Sequence, residues 1–166
     1  MTTKYKLLLL DRDGVLNQKL EEGDYVTNRS RLLMFQEVLD KVAKLTQQIR
    51  VAVVTNQQGV GKALMSRDEL ESVNEEINEQ IVRFGGQKIV FFVCTHVIDI
   101  QCGCRKPKPG LILEAMSRFQ VLSQETILIG DQESDREAAK SARIDFLKTD
   151  NPEMTISHIE KIFQVE

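Results

Sequence analysis

The chain has 166 residues, 42% of them hydrophobic, and 22 Lys and Arg against 25 Asp and Glu, a net charge of −3. That is enough chain for one domain with its own core, and too acidic for a general polyanion-binding surface, so nucleic acid is not expected as a partner. No stretch reaches the roughly 18 apolar residues of a membrane span, and the N-terminus lacks the apolar core and cleavage site of a signal peptide, so no membrane partner and a cytoplasmic location are expected.

The first apolar run, residues 6–10, reads as a buried strand, and Asp11-Arg12-Asp13-Gly14 emerges at its C-terminal end. Two carboxylates there are electrostatically costly, and a divalent cation is the usual compensation. The alternative is a solvated Asp-rich turn. Helical spacing of Phe35, Val38, Leu39, Val42 and Leu45 follows, then a second run at 50–54 that ends in Thr55-Asn56-Gln57-Gln58-Gly59. A threonine hydroxyl and successive main-chain amides suit an oxyanion, although Thr-Asn also caps strand-to-helix turns. Ser66 and Glu69 have the spacing of a capping box, for a helix that carries Leu70, Val73, Ile77 and Ile81 and ends at Gly85-Gly86.

The third run, 89–93, leads into a loop that holds all three cysteines, Cys94, Cys102 and Cys104. Their odd number and the expected cytosolic setting argue against a disulfide framework. With His96 they offer three thiolates and an imidazole, a closed tetrahedral set suited to structural zinc; buried free cysteines are the alternative. Arg105-Lys106-Pro107-Lys108 follows directly. Arginine suits bidentate phosphate recognition and lysine supplies a point charge, whereas Lys108 reads as part of a solvated turn. Pro107 and Pro109 precede a helix expected from Gly110 to about Phe119. The fourth run, 126–129, ends in Gly130-Asp131, which puts Asp131 at the edge of the crevice that holds Asp11. A helix is expected to start just after Asp131, with Asp135 on the same helix face, or simply favouring the helix dipole. A fifth run at 145–147 completes a strand-helix alternation that implies a mainly parallel sheet covered on both faces, in one domain spanning 1–166.

Four blocks, Asp11-Arg12-Asp13-Gly14-Val15-Leu16, Thr55-Asn56-Gln57-Gln58-Gly59, Arg105-Lys106-Pro107 and Gly130-Asp131 to Asp135, together resemble the haloacid dehalogenase superfamily of phosphotransferases, in the family's order. Cys94, His96, Cys102 and Cys104 followed by Arg105-Lys106-Pro107 look like the branch that contains D-glycero-D-manno-heptose 1,7-bisphosphate phosphatases and histidinol-phosphate phosphatases. The resemblance implies an α/β fold: a three-layer α/β/α Rossmann-like parallel sheet of order 3-2-1-4-5, capless, with a zinc-binding loop. It implies hydrolysis of a small phosphomonoester with Mg2+ and structural Zn2+. Asp11 would be the nucleophile that forms an aspartyl-phosphate, and Asp13 the acid and base. Magnesium would be held by Asp11, the main-chain carbonyl of Asp13 and Asp131, with Asp135 in its outer shell. Thr55 and Lys106 would meet the transferring phosphoryl oxygens, and Asn56 and Arg105 the substrate.

Gln132 departs from the branch, which often has Lys or Arg there, so one positive charge is expected to be missing. The five-residue gap between His96 and Cys102 resembles histidinol-phosphate phosphatases, whereas Gly23-Asp24-Tyr25-Val26 and Lys108-Pro109-Gly110-Leu111 look like the heptose branch. The expected substrate is the heptose bisphosphate, losing its 7-phosphate, and the expected state is a monomer. A zinc-stapled binding or scaffold protein would have lost catalytic groups, yet Asp11, Asp13, Asp131, Thr55 and Lys106 are all present. A mutase would need cap sequence to exclude water.

Overall fold

Leu7–Leu10 form β1, and none of the four leucines has exposed surface. Such a strand is buried on both faces, which is why it reads as a continuous apolar run. The computed structural model describes residues 3–165. β2 (Arg50–Asn56) and β4 (Thr126–Gly130) flank β1, with Ala52 and Leu128 opposite Leu9. β3 (Val90–Cys94) pairs with β2 and β5 (Asp145–Lys148) with β4, all parallel, giving the order β3-β2-β1-β4-β5. Both the expected order and the five expected runs are therefore present, each within two residues of its expected bounds.

Alternate residues of the sheet build two cores. Leu8, Leu10, Val51 and Val53 pack on α1 (Gln36–Leu45), α2 (Arg67–Arg83) and α5 (Pro152–Phe163). Leu7, Leu9, Ala52 and Val54 pack on α3 (Gly110–Phe119) and α4 (Glu133–Ala142). The start of α2 is the expected capping box: Ser66 Oγ accepts from the Glu69 N–H at 3.0 Å, and Glu69 Oε2 accepts from the Ser66 N–H at 2.7 Å. Helix α5 was not expected from the sequence. It starts on Asn151, whose Oδ1 accepts from the Met154 N–H at 2.8 Å, with Pro152 in its first turn.

From β1 the chain winds outward through β2 and β3, then returns to β4 on the other side of β1. That reversal opens a crevice at the C-terminal ends of β1 and β4, where Asp11 and Asp131 follow their strands. Residues 17–33 cross above it as a strap rather than a cap domain. Asn17 bridges to Asp13 and Met34, and Arg29 is tied to α2 through Ser72 at 2.9 Å, Glu79 at 3.1 Å, and Glu76. No helix among the described residues is long and apolar enough to cross a membrane.

Candidate active site

Asp11 sits immediately beyond β1, 8% exposed, and Lys106 Nζ lies 3.1 Å from its Oδ1. The same ammonium donates to the Val54 carbonyl at 2.8 Å and to Asp135 Oδ1 at 2.5 Å, so all three of its protons are engaged. Burial pushes the Asp11 carboxyl up to about 6; Lys106 works against this, and the Asp135 and Asp13 carboxylates add to it. Burial alone would lower the Lys106 pKa, but Asp11 and Asp135 raise it above the usual lysine value. A buried ammonium between two buried carboxylates keeps its proton.

Asp131 completes the charged cluster. Its Oδ1 is buried without a hydrogen-bond partner, while Oδ2 accepts from Gln132 Nε2 at 2.8 Å and Lys19 Nζ at 3.4 Å. Burial, then the nearby charge of Asp11, raises its pKa. Gly14 has φ +88°, and a Cβ there would lie 2.5 Å from Asp131 Oδ2, so the first motif needs glycine at this point on both counts. Carboxylate oxygens of Asp11, Asp131 and Asp135 all lie within 4.8 Å of one another. Asp135 is committed elsewhere: besides Lys106, it accepts from the Gln132 N–H at 3.0 Å. The unpartnered oxygen of Asp131, in a carboxylate cluster with Asp11, belongs to the kind of hard-oxygen donor set that magnesium takes.

Two expectations need correction here. Asp131 and Asp135 do not share a helix face, because Gln132 is extended (φ −114°, ψ 155°) as the N-cap of α4 and Asp131 precedes it. The positive charge expected to be missing at Gln132 is supplied from the strap by Lys19, whose ammonium reaches the same carboxylate.

Asp13 is held by donors on both oxygens. Oδ1 accepts from Asn17 Nδ2 at 2.9 Å and Arg12 Nη2 at 3.1 Å, and Oδ2 from Gln57 Nε2 at 2.7 Å. Burial would raise this carboxyl, but the Arg12 guanidinium and the bonds from Asn17 and Gln57 hold it below the usual carboxylate value. Gln57 Nε2 also donates to Thr55 Oγ1 at 3.0 Å, which leaves the threonine O–H to donate to an incoming oxyanion. Asn56, expected at the substrate, turns its amide to the main chain of Lys106, with N–H···O distances of 3.0 Å both ways. It ties β2 to the cationic loop and borders the clefts on both sides.

In the cysteine loop, Sγ of Cys94 lies 3.5 Å from His96 Nδ1 and 3.6 Å from Cys102 Sγ; Cys104 Sγ lies 3.3 Å from His96 Nδ1 and 3.5 Å from Cys102 Sγ. With Zn–S near ~2.3 Å and Zn–N near ~2.0 Å, a tetrahedral site has edges of about 3.5–3.8 Å, so the four atoms are spaced as zinc ligands. Arg105 and Lys106 leave this knot directly. A cleft of about 520 Å³ bounded by Asp13, Lys19, Tyr25, Gln58 and Gln132 opens on the strap side. Another, of about 570 Å³, opens on the other side beside Ile98, Arg105 and Lys108. Lys108, expected in a solvated turn, donates to the Gln101 carbonyl at 2.9 Å and closes that loop.

Arg12, Asn17, Gln57 and Asn74 hold Asp13 directly or through one another, a task that no motif assigns to their side chains. The one signal available was Asn74, a polar residue on the apolar face of α2 between Val73 and Ile77.

A parallel sheet of this order, with carboxylates at two strand ends and a buried lysine between them, defines a Rossmann-like three-layer α/β protein with a candidate metal and phosphate site at the topological switch point. The chain belongs to the haloacid dehalogenase-like hydrolases, whose family model matches residues 11–149. It is 37% identical over 134 residues to the D-glycero-beta-D-manno-heptose-1,7-bisphosphate 7-phosphatase of Neisseria meningitidis, covering 80% of this chain and 71% of that protein. The Helicobacter pylori protein of the same name is 33% identical over 158 residues, 92% of this chain and 88% of that one. The D-glycero-alpha-D-manno-heptose-1,7-bisphosphate 7-phosphatase of Mycobacterium tuberculosis is 39% identical over 141 residues, with coverages of 80% and 70%. Among solved structures, the D,D-heptose 1,7-bisphosphate phosphatase of B. bronchiseptica, in complex with magnesium and phosphate, superposes with a TM-score of 0.82 at 30% identity, covering 92% of this chain and 86% of that one.

Proposed function

We propose that the protein is a magnesium-dependent phosphatase that removes the 7-phosphate of D-glycero-D-manno-heptose 1,7-bisphosphate through a phosphorylated Asp11. The observation that carries the reading is the buried charge cluster: Asp11 3.1 Å from Lys106 and clustered with Asp131, one of whose oxygens no protein group satisfies. Relatives of both anomeric specificities match the chain.

Magnesium, held by Asp11, the Asp13 main-chain carbonyl and Asp131, would supply the charge neutralisation that lets an anionic nucleophile approach an anionic phosphate. Asp11 attacks phosphorus in line, and the P–O bond to the sugar breaks as the new one forms. Asp13, ionised in the resting site, takes up a proton from solvent as the anionic phosphate enters beside it, gives it to the departing oxygen, then takes one from the water that releases phosphate from Asp11. Thr55 donates to the phosphoryl oxygens, and Lys106 turns to them the proton it directs at Asp11 as that carboxylate bonds phosphorus. Arg105, beside the second cleft, meets the substrate's remaining phosphate. Cys94, His96, Cys102 and Cys104 would hold a structural zinc that would pin the loop carrying both cations, and Asp135 holds Lys106 on target. Beyond the strand ends themselves, the strap and this loop border the clefts, which suits a small metabolite. The chain's three unpaired thiols suit the reducing cytoplasm.

Phosphate release with magnesium, compared across both heptose 1,7-bisphosphate anomers and histidinol phosphate, tests the substrate. A heptose bisphosphate is expected to be preferred, and preference for histidinol phosphate would overturn the assignment. Asp11→Asn is expected to abolish turnover; full activity, with deamidation excluded by mass, would sink the nucleophile assignment.

A further inference from the structure

Between the two aspartates of the first motif lies a guanidinium that the reaction scheme does not use. Arg12 has no exposed surface. An unpaired buried charge costs several kcal/mol, and all of this one's nitrogens are engaged. Nε and Nη2 donate to Asp13 at 3.3 and 3.1 Å, Nη2 also to Gln57 Oε1 at 3.1 Å, and Nη1 to Asn74 Oδ1 at 3.0 Å. Asn74 lies 62 residues away on α2, 8% exposed. One helical turn on, Asn78 is buried to the same degree, but it bonds the Ile89 N–H at 2.8 Å and carbonyl at 3.1 Å and does not reach the site. The two asparagines separate a purely architectural amide from one aimed at the acid's own partner.

We propose that Arg12 and Asn74 are positioning residues for Asp13, acting as a polar strut from α2 to the group that protonates the leaving oxygen. Asn74 fixes the guanidinium. The guanidinium and Gln57 then fix the carboxyl plane, leaving its remaining edge to the cleft that Asp13 lines. This rests on the acid role given to Asp13 above. In that step the Asp11–phosphorus bond forms, the phosphorus–sugar oxygen bond breaks, and the Asp13 proton passes to the departing oxygen. Its rate depends on where the carboxyl points: a positioned acid is worth about 10²–10⁴-fold, and a displacement of ~1 Å can cost about 10²-fold.

The test compares kcat/KM for heptose 1,7-bisphosphate, whose alkoxide needs a proton to leave, with that for 4-nitrophenyl phosphate, whose phenolate does not. This ratio reports the steps up to departure of the leaving group. Asp13→Asn is expected to lose about 10²-fold more on the sugar phosphate than on the aryl phosphate. Arg12→Lys and Asn74→Leu are expected to lose about tenfold more on the sugar phosphate, the part of the acid's contribution that aim supplies. Asn78→Leu, which removes an equally buried amide from the same helix, should move both substrates in proportion. If Arg12→Lys and Asn74→Leu also lower both equally while Asp13→Asn is selective, the strut is overturned and the role of Asp13 stands. A non-selective Asp13→Asn overturns both. Asn74 does not contact Asp13 directly, so Asn74→Leu decides alone if Arg12→Lys does not fold.

Discussion

Lys106 carries the electrostatics of the site at the scale of single residues. Its ammonium shares one positive charge between Asp135 at 2.5 Å and Asp11 at 3.1 Å. Lys106→Met should therefore do two things: lower turnover by on the order of 10²–10³-fold through loss of a phosphoryl donor, and lower stability by about 3–5 kcal/mol by stranding a buried carboxylate. Urea unfolding of Lys106→Met combined with Asp135→Asn separates them. The asparagine keeps the acceptor for the Gln132 N–H, so most of the stability should return while activity does not. A double variant as unstable as the single one would show that Asp135 is not the counter-ion. The charged part of this site was legible in the sequence because apolar runs mark the strand ends, and chemistry at strand ends can be read off the next residues. The groups that aim it were not. Arg12 meets Gln57 and Asn74 across 45 and 62 residues, and a contact of that kind exists only once the sheet and α2 have packed.

At the scale of elements, the strands were legible because burial on both faces makes them continuous apolar runs, and α2 because its cap and its periodicity agree. Ser66→Ala should cost about 1 kcal/mol in thermal or urea unfolding. Helix α5 escaped because its 12 residues carry a modest apolar stripe, and its order comes from burying Ile159 and Phe163 against the core that α1 helps build. The Asn151-Pro152 start was the available cue. The cysteine loop combines the two situations: its ligands were legible, but that it would hold Arg105 and Lys106 at the mouth of the crevice needed the fold. Chelation should expose three reactive thiols that are protected beforehand. It should lower activity while leaving the far-UV signal of the sheet and helices unchanged. Three thiols reactive before chelation would contradict a zinc-pinned loop.

At the scale of the whole molecule, the proposed magnesium would be linked to folding through the same carboxylates. In the metal-free fold, burial pushes Asp11 from 3.8 up to about 6 and also raises Asp131. An acid with a raised folded-state pKa favours the fold only while protonated. Its penalty grows as pH climbs from the unfolded value through the folded one and is complete above about 6. Magnesium would bind the ionised form and offset that penalty. The rise in melting temperature on adding magnesium should therefore be larger at pH 7.5 than at pH 5, and equal rises would contradict the linkage. The claim on which the rest depends is that phosphate passes through Asp11. Protein quenched during turnover of heptose 1,7-bisphosphate, reduced with borohydride and mapped by peptide mass, should carry homoserine at position 11. Borohydride-dependent reduction at another carboxylate, or at none while turnover proceeds, would contradict it.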